Sequence, residues 1–228
     1  FHKWGKTMIN YQNDNQKRKN MITFIKATQK LIDTEGLSAV SIRKIANLSG
    51  FHNSTIYLYF KDLDELVMLA SIQHFQQYRI QLEKQLHLFE DPYKNFFMIW
   101  ECFADSAFQT PDIFYNFFFG KYSQNLFSFL NVYYDLFPEE KMLGGADYNT
   151  LYFGHNYKER CHYILKPLID DPRTCVTRQN ISLITEIIVS ISKDFLKQKD
   201  TDPTLDNQML LQKLIQMLHF LIDKNVPV

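Results

Sequence analysis

Along most of the chain apolar positions recur at three- and four-residue spacing, and no stretch alternates in the manner of a half-buried strand. The first such run extends from about Gln16 to Glu35, with Met21, Ile25, Thr28 and Ile32 on one stripe and Gly36 just beyond as its stop. A compact block follows. Ser41 is placed to cap a short helix carrying Ile42, Ile45 and Ala46. Ser49-Gly50 makes a turn, and Asn53 or Ser54 starts a second short helix that points Ile56 and Phe60 inward. Asp62, with Glu65 three residues on, opens a long helix predicted to reach about Phe89. Two short helices joined at a glycine turn and flanked by longer ones make a helix-turn-helix.

From Pro92 the pattern thickens with rings: seventeen of the 45 residues from Tyr93 to Phe137 are Phe, Tyr or Trp. Helices are predicted at about 93–109, 112–119 and 121–136, an irregular connection over 138–157, and a further helix over 158–170. Two amphipathic helices close the chain. Ile181, Ile184, Ile188, Ile191 and Phe195 form the apolar stripe of one; Leu211, Leu214, Ile215, Leu218 and Leu221 form that of the other. The predicted fold is all-α: an arm over 1–15, a three-helix helix-turn-helix domain over 16–61, and a larger helical domain over 62–228. The terminal stripes either enter a bundle shared between two subunits or close the core of one.

Composition alters this picture in two respects. The net charge is zero, but residues 1–61 carry ten Lys and Arg against three Asp and Glu, whereas the remainder carries fifteen against twenty-two. A basic end on an acidic body either faces phosphate or is a solvated tail. Three cysteines without CxxC spacing read as reduced thiols rather than a disulfide or zinc framework. The polar first twenty residues lack a signal-peptide core, and no segment approaches the roughly 20 apolar residues needed to span a bilayer. A soluble cytoplasmic protein with no cofactor, no metal and no membrane partner is expected.

The block from Gly36 to Leu66 resembles the DNA-binding domain of the tetracycline-repressor (TetR) family of bacterial transcription regulators. The resemblance runs without gaps through Gly36, Ser41, Ile45-Ala46, Gly50, Thr55, Tyr57, Phe60 and Leu66. Tyr57-Leu58-Tyr59-Phe60 corresponds to the family's Tyr-x-His-Phe signature with Tyr59 in place of the histidine. It departs from the family at Leu63, where a backbone-holding lysine is usual and for which Lys61 is the nearest substitute, and at His52, where a small hydroxyl residue is usual. The resemblance implies a homodimeric regulator, by family habit a repressor, that binds a palindromic site in double-stranded DNA and is released by a small-molecule effector, with 62–228 as its ligand-binding (effector-binding) and dimerisation domain.

In such a unit the second short helix enters the major groove while the first lies across the backbone. His52, Asn53, Ser54 and Thr55 are the candidates for base contacts, since Asn pairs with adenine and the Thr methyl packs on thymine; Asn53 and Ser54 alternatively serve only as caps. Tyr57 resembles the family tyrosine that meets a phosphate, and Tyr59 either does likewise or joins the small core. Arg43 and Lys44 open the first short helix, where side chains and free N–H groups both meet phosphate; Lys61 completes the set. Lys17, Arg18 and Lys19 either track the DNA or form a solvated tail.

For the effector, Phe96, Trp100, Phe103, Phe114, Phe118 and Tyr122 are the candidate pocket walls, or else plain core. They suggest an apolar or aromatic ligand, a cationic one included since ring faces attract cations; Glu101 and Asp105 are candidate counter-charges or simply face water. Ile184, Ile188, Ile191, Phe195, Leu211, Leu214, Leu218 and Leu221 are the candidate dimer interface. Two other classes compete. An enzyme would draw on His155, Glu159, Cys161 and His162, but Cys161 and His162 diverge on a helix and no zinc-like spacing or nucleophile elbow accompanies them, so no catalytic residue is assigned. A TetR-like adaptor acting through a protein partner would dispense with the DNA contacts.

Overall fold

The computed structural model describes residues 14–86, 91–141 and 154–224. The expected arm falls almost wholly outside them, as does most of the connection expected over 138–157. Among the described residues there is no β-strand, only an isolated bridge between Thr174 and Asp223. The chain groups into two compact units. One holds the chain through Gln73 and a returning segment that starts at Ser128; the other holds the remainder.

In the first unit α1 spans Asn15–Glu35, with the Asp14 carboxylate accepting from the Gln16 and Lys17 N–H groups. Its predicted stripe is buried, and the buried face is wider, taking in Phe24, Ala27, Gln29 and Leu31. α2, Ile42–Ser49, is capped by Ser41 and stops at Gly50, whose φ of 77° and ψ of 18° lie in the left-handed region that glycine enters without penalty. The chain then forms a 3-10 helix at Asn53–Leu58 rather than an α-helix. Phe24 holds these pieces together: it is fully buried, with ring centroids at 4.8 Å from Phe51, 5.6 Å from Tyr59 and 6.1 Å from Phe60. The returning segment packs on α1 through an Arg18–Asp135 ion pair at 2.9 Å and a Gln29 amide donating to the Tyr133 hydroxyl at 3.2 Å.

The helix expected to run unbroken from Asp62 is interrupted. α3 is Leu63–Ser71, a 3-10 turn occupies Ile72–His74, and α4 resumes at Phe75–Leu86. The Ser71 hydroxyl donates back to the Val67 carbonyl at 2.8 Å, a bond that bends helices. Phe75 then turns into a stack of Phe114, Phe117 and Phe118, with centroids 4.3–5.6 Å away. The capping pattern holds: Asp62 accepts from the Glu65 N–H at 3.0 Å, and the Glu65 carboxylate accepts from the Lys61 N–H.

The second unit is built from α4, α5 (Pro92–Ala107), α6 (Pro111–Phe119), the start of α7 (Leu126–Leu136), α8 (Tyr157–Leu165), α9 (Ile181–Thr201) and α10 (Asn207–Ile222). α9 packs on α6, α8 and α10, and α5 on α4 and α10. Two expected helices are shorter than predicted. The one expected over 121–136 opens as a 3-10 turn at Ser123–Asn125, with the Leu126 amide donating to the His155 carbonyl. The one expected over 158–170 gives way to 3-10 geometry at Lys166–Leu168, where Pro167 has no N–H to continue the ladder. No described helix is long and apolar enough to cross a membrane.

Candidate functional site

The first unit offers a face of polar and basic side chains on a rigid support. α2 and the 3-10 helix are fixed from beneath by Ile45, Ala46, Ile56 and Phe60, all essentially inaccessible. Outward stand Arg43, Lys44, His52, Asn53, Ser54, Tyr57 and Lys61, all exposed, and Thr55, half-buried. Lys44 ion-pairs with Glu35 at 2.7 Å, but both side chains are over 40% exposed and the pair holds it only weakly. Tyr57 is 58% exposed, its hydroxyl free to meet a phosphate.

Three sequence-predicted roles change in detail. The residue that caps the second short helix is His52, not Asn53 or Ser54: its Nδ1 accepts from the Ser54 N–H and lies 2.9 Å from the Ser54 hydroxyl. With His52 and Ser54 bound to each other, the Asn53 and Thr55 side chains of that turn carry no such bond. Tyr59 sits half-buried with its hydroxyl accepting from the Asn20 amide at 2.7 Å, so it belongs to the small core. Lys17, Arg18 and Lys19 are no free tail but lie at the start of α1, where Arg18 is engaged with Asp135 and Lys17 lies 3.6 Å from Asp14. Leu63 is the first residue of α3 and half-buried.

The second unit gathers the predicted aromatic residues. Phe96, Trp100, Phe103, Phe114 and Phe118 are buried to within 2% and linked ring to ring at 5.6–6.3 Å. Tyr122 is buried as well, with the Lys121 ammonium 5.5 Å from its ring. Glu101 and Asp105 face solvent. Sequence reasoning passed over the group at the centre of this cluster: Arg160, fully buried on α8, whose guanidinium lies 5.0 Å from the Phe103 ring and 5.5–5.8 Å from those of Trp100, Tyr157 and Tyr78. The i,i+3 pairing of Tyr157 with Arg160 on one helical face was the available signal. In Lys158-Glu159-Arg160 the arginine reads as part of a solvated charge run.

Its neighbours in the alternative enzyme cluster do not converge. Burial pushes the Cys161 thiol up to about 12, the His162 ring faces the Thr185 hydroxyl at 3.5 Å, and Glu159 accepts the His155 backbone N–H. No group of metal-ligating side chains occurs among the described residues. The predicted interface residues Ile184, Ile188, Phe195, Leu214 and Leu218 are buried within the chain's own second unit, and Ile191, Leu211 and Leu221 are half-buried. The apolar side chains these helices expose are Leu183, Met209, Met217 and Phe220, the last 75% accessible.

Residues 24–68 match the family model for bacterial regulatory proteins of the tetR family. A Haemophilus influenzae protein described as an uncharacterised HTH-type transcriptional regulator is 30% identical over 90 residues, which is 40% of this chain and about half (48%) of that relative. Among solved structures, the Thermus thermophilus TetR-family repressor FadR with lauroyl-CoA aligns at a TM-score of 0.55 and 12% identity over 91% of this chain and 98% of that one. RolR with resorcinol aligns at 0.50 and 16% identity over 91% and 90%. At these identities the structures speak for the fold, a helix-turn-helix unit followed by a helical domain, and residues 24–68 of that unit carry the sequence pattern of the tetR family of bacterial regulatory proteins.

Proposed function

We propose that this chain is a TetR-family repressor that binds a palindromic operator as a homodimer and leaves it when a small molecule occupies the second unit. The observation that carries the DNA reading is the outward row Arg43, Lys44, Asn53, Ser54 and Tyr57, all exposed, with the half-buried Thr55 among them, mounted on a turn fixed by Gly50 and by the Phe24 ring cluster. Short polar groups there suit base edges, while Arg43, Lys44, Tyr57 and Lys61 suit phosphates. In the dimer, the outward residues Leu183, Met217 and Phe220 take the contact role, and Ile184, Ile188, Phe195, Leu214 and Leu218 support them from within. The ring cluster around Trp100 is the ligand site. Proteins of the same fold have been solved with lauroyl-CoA and with resorcinol, which supports a ligand-responsive second unit. Release requires that the ligand favour the form unable to bind DNA by a coupling of about 1–3 kcal/mol or more.

Selection of sites from random duplex DNA tests this reading. An imperfect inverted repeat should be enriched, its half-sites about one turn of DNA apart or somewhat more. Enrichment of nothing at low salt would refute sequence-specific regulation.

A further inference from the structure

Arg160 is a full positive charge with no accessible surface. One of its nitrogens, Nη2, donates to the Tyr78 hydroxyl; Nε and Nη1 have no hydrogen-bond partner. Its other contacts are the faces of four aromatic rings. The Trp100 indole N–H of the same cluster is buried and unpartnered, and the Tyr157 hydroxyl is buried beside the Ser192 hydroxyl, which donates to the Ile188 carbonyl and can still accept. Among the described residues, none that touches the guanidinium carries a compensating charge. Burial pushes the Tyr78 and Tyr157 hydroxyls and the Cys161 thiol upward, so all three stay neutral, whereas a guanidinium cannot shed its proton.

Proteins bury charges in pairs, because an unpaired one forfeits its hydration with no return. Ring faces attract a cation, but they do not accept the in-plane N–H groups at its edge. Four donors from two side chains, one on Nε, two on Nη1 and one indole N–H, thus find no acceptor among the described residues, with the Tyr157 hydroxyl in the same cluster. The matching occupant is acceptor-rich, negatively charged and apolar elsewhere, since the walls are Phe96, Trp100, Phe103, Phe114 and Phe118. Lining rings that would favour a cation in an empty cage disfavour one here, because the protein's own cation already occupies it.

We infer that this cluster is the anion-holding end of the ligand chamber and that its ligand is an organic carboxylate with an apolar body, the carboxylate seated on Arg160. Arg160, Trp100 and Tyr157 take the head, and the surrounding Phe side chains take the body. This assignment deepens the effector reading above and rests on it only for the consequence at DNA; binding itself is separable.

The test is calorimetric titration of the full chain with hexanoate, decanoate and benzoate, each beside its amide of equal shape, with and without added chloride. For at least one pair the acid should bind about ten- to hundredfold tighter than its amide, the worth of a hydrogen-bonded buried charge. Arg160→Met, verified as folded by its helical circular dichroism, should erase that preference, and Arg160→Lys should keep part of it. Arg160→Met without ligand should also melt no lower than the parent, because it removes an unpaired buried charge. Equal binding of acid and amide throughout, an acid preference that survives in Arg160→Met, or a response to chloride alone would each overturn the assignment. DNA affinity is read separately on a selected duplex: carboxylate binding that leaves it unchanged would refute the effector reading while the anion site stands.

Discussion

Truncating Phe24 to alanine isolates the packing that presents the DNA-facing residues. The side chain is fully buried and is the one on α1 in ring contact with Phe51, Tyr59 and Phe60 together, at 4.8, 5.6 and 6.1 Å. Removing a buried Phe costs about 3–5 kcal/mol in forfeited transfer energy and unfilled cavity. A small domain is stable by only about 5–15 kcal/mol, so this change brings the first unit close to marginal. The urea midpoint followed by circular dichroism should fall with little change in slope, and DNA affinity at fixed salt should fall by more than about tenfold. Phe24→Leu should cost less, about 1 kcal/mol. Tyr57→Phe is the counterpart: its hydroxyl is exposed, so stability should stay within about 0.5 kcal/mol, while removal of a charge-assisted phosphate bond weakens DNA binding about tenfold or more. A Phe24→Ala protein that unfolds at the parent's midpoint and binds DNA normally would refute the reasoning.

Further outcomes follow from other parts of the molecule. Arg43→Ala should lower the slope of log affinity against log salt by about one for each phosphate that Arg43 neutralises, read by anisotropy across a salt series. Gly154 has φ +60°, and a Cβ there would lie 2.6 Å from the Asn156 carbonyl and 2.7 Å from the Arg160 nitrogen. Gly154→Ala should therefore displace α8 and lower the melting temperature, with left-handed strain alone costing about 1–2 kcal/mol. Cys102 and Cys161 are buried and pushed up to about 11 and about 12, so a thiol reagent at neutral pH should titrate Cys175 alone until the protein is unfolded. The Arg173 guanidinium holds the Asp91 carboxyl, the cap of α5, well below the usual carboxylate range. That contribution is present above about pH 4 and disappears as pH falls through the depressed folded value. Arg173→Ala should return Asp91 to the ordinary range by NMR titration and flatten the acid limb of stability.

The helix-turn-helix was legible because its signals are local. Gly50 is required by a left-handed φ, Asp62 and Ser41 by open helix ends, and the α1 stripe by one buried face. What escaped depends on partners distant in the chain. Nothing near Ser71 in the sequence announces the break before Phe75, which is set by rings on α6. The capping role of His52 was not legible because its bond to Ser54 depends on a 3-10 rather than an α-helical turn. Arg160 was hidden by Lys158 and Glu159 beside it, both exposed; only the fold shows that the third charge of that run points the other way. The stripes of α9 and α10 leave a shared bundle and the chain's own core both open in the sequence, because periodicity reports an apolar face without saying which chain covers it.

The central claim, that the face around Arg43, Asn53 and Tyr57 reads DNA, is tested most directly by titrating the selected duplex with the parent protein and with the combined Arg43→Ala, Tyr57→Phe variant. The account predicts tight, salt-sensitive binding by the parent and binding indistinguishable from random duplex by the variant, with unchanged circular dichroism. Equal affinity of the two proteins for the selected site would contradict it.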